Sequence, residues 1–522
     1  MSWLKQIITV ILFILVVMAI NFPAYRAVST DAAMLNTLSL DEWVNIDFLN
    51  NQFYRLLDAK SYRELLALRD NVGYGTIFYY VYGLLTYPIY HFGTFQLEII
   101  TLRLISAAWL GIILFFVYKI IFLYTQKTLP SVLGAIMILT MPAYYFYAKA
   151  FSVEFMGTGL LVASIYYLLK DNFTYKKNLY LALFLFASAI GTKASAIIIL
   201  PVAIIYLLVG LHWLSWQNWF LKIIIGSCIG LTGFLISNPF VITSSGGTAY
   251  YVMLLQRNIQ DNKTGHGAID VTSINYISWY TKGIHSDYMV LPFITLFIIG
   301  YLLWIIFLPN NKKRLQAILL FSISVLFILY IIFTVKKIWT WYLFPGFTLL
   351  PVGLAAWSDD IFLHWKKYHL KIITLIICFL GLLLTNHKTI ASHYSALAES
   401  EQSADFQIKV RSKQTFNNWL TTQNFHNISI LKSPYVYFDE TPYDHFTINP
   451  FWGKLSEWHF TYYEPNMILL EKWVFAGIQQ DPKHFFNGMI DPEPNSGYSI
   501  DNKLFRYKKS FETENFYVFV RY

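Results

Sequence analysis

Charge is scarce in this sequence. Asp, Glu, Lys and Arg make up 13% of its 522 residues, about half the share usual for a soluble domain. Cysteine is scarcer. Cys228 and Cys378 both lie in apolar stretches, which excludes a disulfide framework and a cysteine-rich metal motif. There is no P-loop, no dinucleotide-binding glycine fingerprint, no HExxH and no serine-nucleophile elbow. No internal repeat of solenoid length and no low-complexity tract is present either.

Apolar and aromatic residues are abundant instead. The chain is 56% hydrophobic and 19% aromatic, with 38 Tyr and 16 Trp, and its mean hydropathy is +0.47. Repeated runs approach the ~20 apolar residues that cross a bilayer. These features describe an α-helical polytopic membrane protein, its Tyr and Trp concentrated at membrane interfaces. The net charge of +9 then reads as basic inward-facing loops and affinity for anionic lipid, not for nucleic acid.

Span placement follows the apolar runs and the Lys/Arg bias of the linkers. Residues 5–23 lack a small-residue cleavage site and read as an uncleaved first helix. The next crossings are 99–124, 131–149, 155–169, 178–192, 194–211, 219–238, 289–308, 317–334, 342–357 and 370–387. Segment 74–92, "YGTIFYYVYGLLTYPIYHF", reads as a juxtamembrane helix. If it crossed, the basic linkers 170–177 and 309–314 would fall outside; lying in the interface, it leaves both inside, with 364–371. The expectation is about eleven crossings with an inner N-terminus.

Residues 1–387 then form the membrane module. Three long segments share its outer side: 24–98, 239–288 and 388–522. The last is polar and rich in turn residues. It reads as a small α/β domain with a helix over 465–480 and a strand over 515–522.

The ionisable residues cluster on that same side. Asp41 and Glu42 stand together in the first outer loop. Glu154 sits in the short apolar turn "AKAFSVEF", where a carboxylate is costly and therefore a functional candidate. Arg103, Lys149, Lys193, Lys336 and Lys337 supply cations at the same boundary. A single lysine there is ordinarily a snorkelling anchor. Three carboxylates among several cations suit an anionic lipid headgroup beside a general base: cations would stabilise a phosphate leaving group while a carboxylate deprotonates a hydroxyl.

The stretches "LSLDEW", "NVGYGTIFYYVYGLLTYP", "LRLISAAWLGIILFFVYKI", "AKAFSVEF", "AIGTKASAIIILP" and "WTWYLFPGFTLLP" occur in this order over roughly the first 360 residues. Together they resemble the GT-C superfamily of membrane glycosyltransferases, in the branch of protein O-mannosyltransferases and aminoarabinose transferases. The resemblance implies a polyprenyl-phosphate sugar donor, an outer-face active site and inversion at the sugar. It implies Asp41 as base with Glu42 adjacent, Glu154 as the second acidic position, and Arg103 and Lys193 on the lipid phosphate. Where aminoarabinose transferases carry a lysine before the juxtamembrane helix, only Arg69 stands here, and it joins Arg103 and Lys193 as a candidate contact to the donor's lipid phosphate. Tyr342 falls where relatives often hold "RY", preceded here by Trp341. His266 lies where related enzymes often have Gly-His, and joins Lys336, Lys337 and Tyr342 as a substrate-contact candidate.

No metal or cofactor is implied, since many such enzymes need none, although a divalent cation stays open. "YFDETPYDHF" (437–446) matches no trusted ligand spacing. The partners expected are the lipid-linked donor, membrane lipids, and an acceptor glycan, lipid or protein. The setting expected is a bacterial plasma membrane. A flippase for lipid-linked glycans and a non-catalytic scaffold remain the alternatives. The first predicts charge at the bilayer midplane and broken helices; the second leaves Glu154 without a role.

Overall fold

The computed structural model describes residues 3–26, 40–69, 75–264, 273–308, 311–335, 340–360, 368–399, 404–423, 427–433, 447–450, 463–480, 499–501 and 506–522, with residues 425, 436, 438 and 460. For some residues within these elements, Asp41 among them, only the backbone is described. The chain forms two compact units. One comprises Met1–Arg26 and Val44–Ser395, the other Ala27–Trp43 and Ala396–Tyr522. The composition change at 388 thus falls inside a helix that runs from Tyr368 to Glu399.

The first unit is helical. It begins with α1 (Trp3–Arg26). Helix α2 (Leu40–Phe48) straddles the division between the units and runs into a π-helical turn, Leu49–Tyr54. Two short helices follow, α3 (Arg55–Asp58) and α4 (Tyr62–Leu66), then α5 (Thr76–Phe92) and the long α6 (Phe95–Thr125). Next come α7 (Thr128–Ile136), α8 (Pro142–Ala148), α9 (Val153–Asp171), α10 (Lys177–Thr192), α11 (Leu200–Val209) and α12 (Trp216–Ser237). After α13 (Phe240–Thr243), α14 (Gly247–Thr264) and α15 (Ser273–Asp287), the unit closes with α16 (Leu291–Phe307), α17 (Asn311–Thr334), α18 (Phe344–Asp360) and α19 (Tyr368–Glu399).

Every segment expected to cross is helical. Among the described residues, seven helices are long and apolar enough to cross alone, and two bent pairs raise that to nine. The two other expected crossings are shorter, α10 with 16 residues and α18 with 17. Helix α5 is not among the spans that length and composition select.

The two bends have local causes. Proline at the start of α8 and of α16 cannot continue a preceding helix. The chain turns by 74° between Thr140 and Pro142 and by 84° between Asp287 and Leu291. Each turn frees a backbone carbonyl. The natural partner of the Tyr288 carbonyl would be the amide of residue 292, which is proline. The amide of Tyr144, natural partner of the Thr140 carbonyl, bonds Met141 instead, at 3.2 Å. One buried side chain from α19 answers both. Asn386 Nδ2 donates to the Thr140 carbonyl at 2.8 Å and to the Tyr288 carbonyl at 2.9 Å.

Glycine at two points lets backbones meet. The Gly75 amide bonds the Thr192 carbonyl at 3.0 Å. A Cβ on Gly75 would stand 2.1 Å from the Gly191 oxygen, and one on Gly191 would meet Asn238 Nδ2 at 2.7 Å. The start of α5 and the end of α10 are therefore joined through their main chains, and Asn238, just after α12, reaches the same point with its side-chain amide, donating to the Gly191 carbonyl at 3.0 Å.

The second unit carries a six-stranded mixed sheet of order β2-β1-β3-β6-β5-β4. Its strands are β1 (Ser429–Lys432), β2 (Thr447–Pro450), β3 (Met467–Glu471), β4 (Ser499–Asp501), β5 (Arg506–Glu512) and β6 (Phe516–Arg521). Strand β1 lies parallel to β2 and β3, while β6 runs antiparallel to β3 and β5. Helix α20 (Ala404–Thr422) puts Phe416 and Leu420 against one face of the sheet; α21 (Lys472–Gln480) puts Val474 and Phe475 against the other. The strand expected over 515–522 is β6. The helix expected over 465–480 is corrected. Its first half is β3, whose residues are all buried, because "MILL" fills a central strand covered on both faces. Short apolar runs of this kind have no periodicity that separates strand from helix.

Replacing Asn386 by Ala should lower the stability of the first unit by about 1–3 kcal/mol, the range for two interhelical bonds in lipid and two stranded carbonyls. Denaturant unfolding in mixed micelles reads this, and a change near zero removes Asn386 from its structural role. In the second unit, Lys472 and Lys509 hold the Glu512 carboxyl below its usual range, and Arg411 does the same for Glu514. A depressed folded value means that the contribution is present above the ordinary carboxylate range and lost as pH falls below it. Protection of the β5–β6 amides, corrected for intrinsic exchange, should therefore weaken modestly below about pH 4.5. Combining Glu512→Gln with Glu514→Gln should flatten that dependence.

Candidate functional site

The site in the first unit starts at a helix terminus. Ser152 caps α9, its hydroxyl accepting from the Glu154 amide at 3.2 Å. The Ser152 amide in turn points at Ser106 Oγ of α6 (3.4 Å), which is hydrogen-bonded to the Tyr82 hydroxyl of α5 at 3.1 Å. Phe151, just before the cap, stacks on Phe78 with ring centres 4.9 Å apart. The aromatic face of α5 thus fixes the turn that delivers Glu154. The acid stays 93% shielded from solvent by burial, with 7% of its surface exposed.

Lys193 reaches Glu154 from the break after α10. Its backbone is extended there, between α10 and the 3-10 turn Ala194–Ile199. The ammonium forms a short ion pair with Glu154 Oε1. Gly157 faces the lysine stem, where an added Cβ would sit 3.3 Å from Lys193 Cβ. The same ammonium stands 4.6 Å from the ring centre of Tyr342. Tyr342 belongs to the turn Thr340–Leu343, which is anchored to the second bend: Tyr288 donates to the Thr340 carbonyl at 2.6 Å, and the Thr340 hydroxyl donates to Asp287. Phe344 closes the group by stacking on Phe155 at 5.3 Å. Glu154, Thr158, Lys193, Ser195 and Tyr342 border a narrow cleft of about 10 Å³.

The structure therefore joins three of the residues singled out in the sequence: Glu154, Lys193 and Tyr342. Arg103, two turns into α6, is buried, 1% exposed. Arg69 is held elsewhere in the same unit. Its guanidinium donates to Ser244 Oγ at 3.3 Å and to the Ser245 carbonyl at 2.6 Å, and lies 5.0 Å from the Tyr250 ring centre. With the bond from Thr243 Oγ1 to the Leu66 carbonyl at 2.9 Å, Arg69 ties the segment after α4 to the segment joining α13 and α14. Glu42 is buried in α2 and groups with the second unit, as does the backbone of Asp41. His266, Lys336 and Lys337 lie outside the described residues.

Two clusters escaped the sequence reading. Glu98, in the first turn of α6, is buried beside Tyr54 and Asn50, and its Oε1 has no hydrogen-bond partner. An acid in a first turn reads as a helix-dipole partner, so nothing in the sequence marked it. Asp58 accepts from Tyr87 and meets His91 Nε2 at 2.9 Å, fastening α3 to the end of α5. Only the fold brings these positions within reach. Among the described residues, no three His, Cys, Asp or Glu side chains form a metal-binding group.

Two solved membrane proteins share this overall fold. ArnT from Cupriavidus metallidurans, solved with undecaprenyl phosphate, superposes with a TM-score of 0.54 at 10% identity, over 98% of this chain and 97% of that one. Archaeal oligosaccharyltransferase AglB from Archaeoglobus fulgidus, solved with an inhibitory peptide and dolichol phosphate, superposes at 0.51 and 10% identity, over 96% of this chain and 75% of that one. No protein-family model and no curated protein matches the sequence.

A buried pair broken on one side leaves an uncompensated charge, at a cost of about 3–5 kcal/mol. Lys193→Met should show that loss in micelle unfolding, and adding Glu154→Gln should restore most of it. Equal loss in the single and double variants would count against a coupled pair.

Proposed function

We propose that this protein transfers a sugar from a polyprenyl-phosphate donor to a hydroxyl of an acceptor on the outer face of a bacterial plasma membrane. The observation that carries this reading is the Lys193 ammonium, held between Glu154 and the Tyr342 ring at the rim of a small cleft. Such a group suits the phosphate end of a lipid whose chain stays in the bilayer. The GT-C fold and its occurrence in proteins solved with undecaprenyl or dolichol phosphate support the same donor class.

In this reading Asp41 takes the proton of the acceptor hydroxyl, with Glu42 beside it. The acceptor oxygen forms its bond to the anomeric carbon from the side opposite the phosphate, the carbon–oxygen bond to the phosphate breaks, and the sugar inverts. The polyprenyl phosphate leaves with the bonding electron pair, and Lys193 and Arg103 stabilise its negative charge. Glu154 orients Lys193. Lys336, Lys337 and His266 are assigned as substrate contacts, and Arg69 as the tie between outer loops.

The two bent helix pairs are a feature that a flippase would share. The placement of charge favours transfer chemistry, because Glu154 is the second residue of α9 and not at its middle.

The test is turnover in lipid with a panel of polyprenyl-phosphate sugars, followed by mass spectrometry. Sugar release or transfer should appear for one donor and fall by about 10²–10⁴-fold in Asp41→Asn, the usual weight of a general base. Full activity in Asp41→Asn would refute its role as base. Failure of every such lipid to bind would refute the donor class.

A further inference from the structure

At the other end of α9, sixteen residues and about 24 Å from Glu154, the surface is built for a different anion. Lys170 is the penultimate residue of α9, and Lys119 lies six residues before the end of the neighbouring α6. Their ammonium groups share one aromatic ring. Lys119 Nζ lies 5.8 Å from the ring centre of Tyr166, and Lys170 Nζ lies 5.5 Å from it. Lys170 is also 5.7 Å from the Tyr167 ring. The two tyrosine rings meet edge to face at 5.0 Å, and Phe116 flanks both at 5.6 and 6.2 Å.

Two like charges gathered on one ring call for an anion. Among the described residues no carboxylate forms an ion pair with Lys119 or Lys170, and neither tyrosine hydroxyl is used in a hydrogen bond. The adjacent acid, Asp171, is consumed elsewhere. Its Oδ1 accepts from the Lys176 amide at 3.0 Å and from Thr174 at 3.2 Å; its Oδ2 accepts from the Tyr175 amide at 2.8 Å and from Tyr206 at 3.0 Å. Lys119 is half-buried and Lys170 exposed, so the cluster opens outward from the bundle. A lysine set this deep in an apolar helix directs its ammonium toward the lipid interface.

We infer that Lys119, Lys170, Tyr166 and Tyr167 form a binding site for the phosphate headgroup of an anionic phospholipid. Two ammonium groups and two phenols offer donors to the phosphate oxygens. Phe116, half-buried beside the two tyrosines, supplies apolar contact for the upper acyl chain. Position separates this lipid from a donor bound at the Glu154–Lys193 cleft, at the opposite end of α9.

Native mass spectrometry of the full-length protein in neutral detergent tests the site, with phosphatidylglycerol and phosphatidylcholine of identical acyl chains. The wild type should retain one phosphatidylglycerol in preference to phosphatidylcholine. Lys170→Gln alone changes only an exposed position and should weaken that retention about fivefold, the effect of one basic residue at an anionic surface. Adding Lys119→Gln should weaken it by an order of magnitude or more. Lys119→Arg with Lys170→Arg should keep it, and Lys176→Gln with Lys177→Gln, where the adjoining loop enters α10, should leave it unchanged. Equal retention of the two lipids overturns the site, as does an undiminished adduct in the glutamine variants. Equal loss in the loop control would mean a diffuse basic surface. Preference for a short polyprenyl monophosphate, lost in the same glutamine variants, would assign the site to another lipid and also overturn the proposal.

Discussion

Main-chain groups inside a bilayer have no water to fall back on, and the first unit is organised by that constraint. Straight helices satisfy it internally. This chain bends sharply at two prolines and thereby exposes the Thr140 and Tyr288 carbonyls. Asn386 satisfies both from a third helix. Its single amide fixes two bends relative to each other. The second bend then places Asp287 and Tyr288 where they hold the Thr340–Leu343 turn.

The cleft inherits its geometry from this arrangement. Tyr342 is carried by that turn, Lys193 by a helix break, and Glu154 by a capped helix start. Each comes from a place where helix regularity ends, so backbone direction changes there and side chains can converge. Glycine contacts support the convergence. Gly75 and Gly191 bring α5 against the residue pair that precedes Lys193, and Gly157 admits the lysine stem. The ion pair is buried enough that neither partner is readily hydrated, which favours a fixed orientation of the ammonium over a mobile one.

The two ends of α9 divide the labour of this helix. At its start a cation is neutralised within the protein and borders a cleft. At its end two cations are left facing outward among aromatic rings. The same residue type has opposite settings because Glu154 supplies a carboxylate at one end, while Asp171 at the other is committed to the turn that follows it. That turn needs such an acid, since Asn172, Phe173 and Tyr175 all have left-handed backbone angles, at φ 50°, 56° and 55°.

The sequence by itself determined the class of solvent and the helical segments, because apolar run length and hydropathy are local properties. It also marked Glu154 and Lys193 separately, since a charge in an apolar stretch stands out without any knowledge of neighbours; Tyr342 was marked only by the family resemblance. It could not pair them: their separation in the chain says nothing of contact. Arg69 was read as a phosphate ligand by position, and only the fold shows its guanidinium engaged by Ser244, Ser245 and Tyr250. Asn386, Glu98 and the Asp58–His91 pair carried no sequence signal because their meaning lies wholly in partners brought from other elements. The start of the 465–480 segment was misread for the same reason. Whether "MILL" becomes strand or helix depends on β1 and β6 lying beside it, and that is decided by tertiary packing and not by the segment.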